Sequence, residues 1–106
     1  MTTKYSISKH RFYELKHWCL QYHEWEEVYS QLDGYETEQG DTTSKEGMLR
    51  AELRSRMELI RKICIDTDDD IWESLLRTVI GDANLIPTSS YIYKKFFWLL
   101  DKARDQ

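Results

Sequence analysis

Three groups of residues in this chain have the types and spacing that chemistry could use. Asp66, Asp68 and Asp70 alternate like the first three ligands of a calcium loop. The loop then fails, because Ile71 stands where the required glycine belongs and Arg77 where the closing bidentate glutamate belongs. His17, Cys19 and His23 lie close enough on one helix for two of them to share a zinc ion, yet no second ligand pair follows at finger-like spacing. No glycine-rich phosphate loop, nucleophile elbow or zinc-protease helix occurs. The expectation is therefore no metal, no cofactor, no small-molecule substrate and no enzymatic activity.

The third group suits binding. In IPTSSYIYKKFFWLLDKARDQ, from Ile86 to the C-terminus, residues Ile92, Tyr93, Phe96, Phe97, Leu99, Leu100 and Ala103 fall on one arc of a helical wheel. Tyr91, Lys94, Lys95, Trp98, Asp101 and Lys102 fall on the other. The apolar arc is core. A tyrosine and a tryptophan set among lysines form a contact face, with Ser89 and Ser90 at the helix start.

The elements that position these residues are helices. The chain has 106 residues, 41% apolar and 13% aromatic, with four glycines and one proline. That composition gives one domain with a sufficient core and too little turn chemistry for a many-stranded sheet, so the fold class is all-α. Residues 1–7 read as a short arm. Ser8 caps a long first helix over 8–33, where Leu15, Trp18, Tyr22, Trp25, Tyr29 and Leu32 recur at spacings of three and four and the Asp33-Gly34 pair is the stop. The polar, acidic stretch 35–43 is a connection. Thr43 or Ser44 caps a second helix over 44–65, antiparallel to the first, with Arg50, Arg54 and Arg61 along one face as a solvated stripe. Asp66 to Asp70 lead into a short third helix over 69–80, one of them capping it, and Gly81 ends it. After the turn at Pro87 the last helix covers 89–104.

The net charge of −4 argues against indiscriminate polyanion binding. The charges come in blocks: 1–17 basic, 24–41 acidic, 45–62 basic and 66–82 acidic. Such alternation suits helices that complement one another. The acidic residues Glu24, Glu26, Glu27, Asp33, Asp68, Asp69 and Asp70 are candidate contacts for a basic partner. No apolar run approaches the ~18 residues of a membrane span and the N-terminus lacks a signal-peptide core, so a cytoplasmic protein with no membrane contact is expected. Cys19 and Cys64 then read as buried thiols. The aromatic seam of Trp18, Tyr22, Trp25 and Tyr29 needs a partner surface, either other helices or a second copy, and a homodimer is expected.

The stretches SKHRFYELKHWCLQYHEWEEVYSQL and LIPTSSYIYKKFFWLLDKAR resemble a group of small Firmicute prophage and mobile-element proteins, themselves similar to RinA-like phage transcriptional activators with a C-terminal helix-turn-helix. The resemblance implies a DNA-binding regulator in the bacterial cytoplasm. Ile86 and Pro87 would then stand in the turn, and Ser89 to Lys94 at the start of the recognition helix. Tyr91, Lys94, Lys95 and Trp98 would contact DNA. The segment TVIGDANLIP, from Thr78 to Pro87, is too short to hold the scaffold helix that normally precedes the turn, so either Asp70 to Ile80 serves as that scaffold or the DNA-reading module is lost. A lost DNA module on an acidic protein would suit a second phage role. That role is inhibition of a host nucleic-acid-processing defence complex, of the anti-CRISPR type, by protein contact and acidic DNA mimicry.

Overall fold

A computed structural model describes residues 5–32 and 44–104. Its elements are α1 (Lys9–Leu20), α2 (Tyr22–Gln31), α3 (Lys45–Thr67), α4 (Trp72–Val79) and α5 (Tyr91–Arg104), with no strand among the described residues. The all-α class stands, as a bundle in which α1 and α2 form one long, bent helix. The stop at Asp33-Gly34 and the connection over 35–43 lie outside the described residues.

The serine caps act as their positions require. Ser8 Oγ accepts from the Arg11 amide at 3.1 Å, and Ser44 Oγ from the Gly47 amide at 3.0 Å. Ser90 Oγ accepts from the Tyr93 amide at 3.1 Å. Each satisfies one of the amides that a helix start leaves open.

The bend at Gln21 arises without proline or glycine. The Gln21 amide donates to the Trp18 carbonyl at 3.2 Å, a tightened three-residue step, before Trp25 resumes the regular spacing to the Gln21 carbonyl at 3.0 Å. The reason is tertiary. α1 buries Leu15 and Cys19 and packs against α5 and α4, whereas α2 buries Tyr22 and Trp25 and packs against α3. A straight helix could not serve both partners.

The second helix runs two residues beyond expectation, to Thr67, whose hydroxyl donates to the Ile63 carbonyl at 2.7 Å. Asp68 then turns to extended backbone. The third helix starts later than its sequence suggests, at Trp72, and no aspartate caps it. Instead Asp68 Oδ1 accepts from the Asp70 amide at 3.0 Å, which fixes a local turn ahead of the helix. At the other end Gly81 (φ +90°) ends α4 as expected. Its amide donates to Thr78 O at 3.2 Å and the Asp82 amide to Arg77 O at 2.9 Å, the paired bonds of a Schellman stop.

The core is continuous from Trp25 through Ile60 and Cys64 to Phe96 and Leu100. On α5 the buried residues are Tyr93, Phe96, Phe97 and Leu100, with Ile92, Leu99 and Ala103 partly covered, which is the arc the helical wheel assigns to the core. No helix among the described residues is long and apolar enough to cross a membrane.

Candidate functional site

Between residues 5–7, the start of α1 and the start of α5 lies an open groove of about 370 Å³. Its walls carry the rings of Tyr5, Phe12, Tyr13 and Phe97, and its cations are Lys9 and Lys94. Helix starts ordinarily favour carboxylates. Neither α1 nor α5 has an acidic residue in its first turn.

The outer face of α5 adjoins this groove. Tyr91 is 62% exposed, and its hydroxyl donates to the Tyr5 hydroxyl at 3.3 Å. That bond, before any burial, raises the Tyr91 phenol above its ordinary pKa. Trp98 is half-buried: the Tyr5 ring stands edge-on to it with centroids 5.1 Å apart, and Lys102 Nζ lies 5.0 Å from its centroid. Lys94 and Lys102 are exposed and Lys95 half-buried. Ser89 is exposed, while Ser90 is the helix cap and its oxygen is occupied. The expected contact residues therefore do share one face. Sequence reading missed the partners that complete it, Tyr5, Lys9 and Tyr13. Their signal was an aromatic residue in a polar arm and a basic first block.

That face is not carried by a helix-turn-helix. Residues 80–90 separate α4 from α5, well beyond the three or four residues of that turn. Both helices pack on α3 and on α1 rather than forming a substantial contact with each other. The Schellman stop at Gly81 and the turn at Pro87, where the Ser90 amide donates to Pro87 O at 3.0 Å, take up the connection instead.

The aromatic seam is occupied within the chain. Tyr22 and Trp25 are 3% and 5% exposed. Arginines lie over the seam's rings: Arg61 over Tyr22 at 6.0 Å, Arg56 over Trp25 at 5.5 Å, Arg50 over Tyr29 at 3.9 Å and Arg104 over Trp18 at 4.3 Å. The α3 arginines descend in number as the α2 rings ascend, which is the antiparallel hairpin expected of the two helices. Of the α3 stripe, Arg54 and Arg61 are exposed as expected, while Arg50 is half-buried over Tyr29. In the seam, Tyr22 and Trp25 are buried within the chain and Trp18 and Tyr29 are half-buried.

The acidic candidates sit on two elements. Glu24, Glu26 and Glu27 are exposed on α2, with Glu26 Oε1 3.1 Å from His23 Nδ1 and His23 Nε2 2.6 Å from Asp82 Oδ1. The α3–α4 turn brings the carboxylates of Asp68, Asp69 and Asp70 within 4.8 Å of one another, Asp69 and Asp70 exposed and Asp68 half-buried. Asp33 lies outside the described residues. His17, Cys19 and His23 do not converge as ligands, since Cys19 is wholly buried and both histidines are exposed.

No family model, curated protein or solved structure matches this chain. Its chemistry is thus read from its own side chains. Burial pushes the Cys64 thiol up to about 12. Burial first, then the neighbouring Cys64, holds Cys19 far above its ordinary value, Arg104 opposing. Thiols so held are poor nucleophiles. Burial, followed by Cys19, likewise raises the Tyr93 phenol.

Proposed function

We propose that this chain is a non-enzymatic binding protein of phage or mobile-element kind that regulates transcription by binding DNA. The observation that carries this reading is the α5 outer face, where exposed Lys94 and Lys102 flank Tyr91 and Trp98. Lysines supply the phosphate attraction of DNA binding, and aromatic faces supply contact area that water does not compete for. The contact is made by α5 with residues 5–9 beside it, and α3 and α1 support α5 from behind.

A gel-shift or anisotropy titration against the promoter region of its own element at low salt tests this. Binding should weaken as salt rises, and the triple change Lys94→Ala, Lys95→Ala, Lys102→Ala should weaken it by about tenfold or more and flatten the salt slope. The absence of any salt-sensitive binding would overturn it.

One observation favours a second reading. The convergence of Asp68, Asp69 and Asp70 presents concentrated negative charge of the kind a basic nucleic-acid groove accepts. In this reading the chain inhibits a host defence complex of the anti-CRISPR type, with Glu24, Glu26 and Glu27 as further contacts. A DNA-independent host partner recovered by the wild type, and lost when Asp68 to Asp70 are changed to lysine, would favour it. Retention after charge reversal would sink the mimicry.

A further inference from the structure

We infer that the groove between residues 5–7, α1 and α5 takes an unpaired nucleotide, its base against Tyr13 and Phe12 and its phosphate between Lys9 and Lys94. This rests on the DNA-binding reading above and narrows it to nucleic acid with unstacked bases. Shape is the first argument. A duplex major groove accepts a protruding helix, whereas this surface is a concavity of about 370 Å³, of the size that encloses a small planar ligand.

Order in the walls is the second. Phe12 is fixed by an edge contact to Phe97 at 5.0 Å and by Tyr93 at 6.0 Å, and the Tyr13 ring stands edge-on to Phe12 at 5.3 Å. Tyr13 is nevertheless 46% exposed, so its ring is accessible to solvent beside the ordered Phe12. Successive bases stack on such platforms in proteins that bind single strands.

Charge is the third. The lining contains Lys9 and Lys94, the hydroxyls of Ser6, Thr88, Tyr5 and Tyr13, and no carboxylate among the described residues. Both lysines are exposed, and no ion pair engages either among the described residues. An acidic peptide would satisfy the lysines and leave the rings without a planar partner. A nucleotide satisfies both.

The test is fluorescence anisotropy at low salt with a labelled oligothymidylate of about 12 nucleotides and a duplex of equal length. The single strand should bind about tenfold tighter or better. Tyr13→Ala should weaken it about tenfold, Tyr13→Phe should retain it, and Lys9→Ala with Lys94→Ala should flatten its salt slope. All three side chains are exposed, so unchanged circular dichroism and melting are expected and loss of fold does not confuse the result. Duplex binding as tight as single-strand binding, or indifference to Tyr13→Ala, would overturn the groove assignment and leave the DNA-binding reading standing. Failure of both oligonucleotides and of the promoter DNA would overturn both.

Discussion

Two surfaces of this molecule combine cations with aromatic rings, and they differ in what the cations have left to do. Along the α2–α3 joint, Arg50, Arg56 and Arg61 lie over Tyr29, Trp25 and Tyr22. They have further partners there: Arg61 Nε donates to the Tyr22 hydroxyl at 2.9 Å, and Arg56 reaches Glu52 at 2.6 Å. The cleft above this joint is lined by Glu26 and Glu58 as well as Arg54 and Arg61, so its charges are balanced from within. Around the α1–α5 groove the cations are lysines, with no carboxylate in the lining among the described residues. A planar guanidinium laid on a ring serves packing, while a lysine on a flexible stem beside an exposed ring remains available to a ligand. The same pair of residue types thus marks a structural joint in one place and, in the reading proposed above, a contact face in the other.

The largest effect expected from breaking this contrast is at the joint. Trp25 is 5% exposed, meets Trp18 edge-on at 4.9 Å and lies under Arg56. Trp25→Ala should lower unfolding free energy by about 3–5 kcal/mol in urea titrations. A loss near 1 kcal/mol, the size of an ordinary point mutation, would mean that the α2–α3 face is not the structural member of the pair.

The next effect is read through pH. Cys19, on the last turn of α1, and Cys64, on α3, lie where the bent helix meets the core, and burial raises both thiols. A group that holds its proton more tightly when folded contributes stability below its unfolded pKa and loses it as pH rises toward the folded one. Stability should therefore be insensitive to these thiols below pH 9.0 and fall from there toward about 12. The slope should be up to about 1.4 kcal/mol per pH unit for each thiol. A thiol reagent at pH 8 should label the unfolded chain twice and the folded chain slowly. Fast labelling of the folded chain would contradict the burial.

Much of this architecture was legible in the sequence, and the parts that were not have a common cause. Ser8, Ser44, Gly81 and the buried arc of α5 act locally, through caps, a positive φ and helical period, so their spacing announces them. The bend at Gln21 leaves no mark of its own, because it answers the separate demands of α5 and α3 on a continuous helical pattern. The start of α4 was misplaced because the Asp68 carboxylate accepts from the Asp70 amide in a local turn instead of capping the helix. On α5 the contact face was legible as a wheel pattern. Its completion by Tyr5 was not, since that contact joins opposite ends of the chain and no periodicity links them. The rings that Arg50 and Arg61 of α3 approach were not legible for the same reason: they lie across the joint on α2.

Gly81 sharpens the contrast at the bend itself. Its φ of +90° disfavours any side chain, and an added Cβ would stand 2.9 Å from Leu20 Cδ2. Gly81→Ala should cost about 1–2 kcal/mol in thermal unfolding, chiefly from the backbone. Leu20 is 42% exposed and can shift its tip. Adding Leu20→Ala should accordingly recover little, and full recovery would show that the close contact governs the site instead.

The smallest expected change in stability is the one that most directly separates the two surfaces. Tyr13 is 46% exposed, and its one ring contact is edge-on with Phe12. Tyr13→Ala should leave unfolding free energy within about 0.5 kcal/mol of the wild type, as surface substitutions away from caps and networks do. A ring that the fold does not require, beside lysines that no ion pair engages among the described residues, is what the proposed contact needs. Should Tyr13→Ala instead destabilise the protein as strongly as Trp25→Ala, the rings around the groove would be core like those of the joint, and the difference between the two surfaces would disappear.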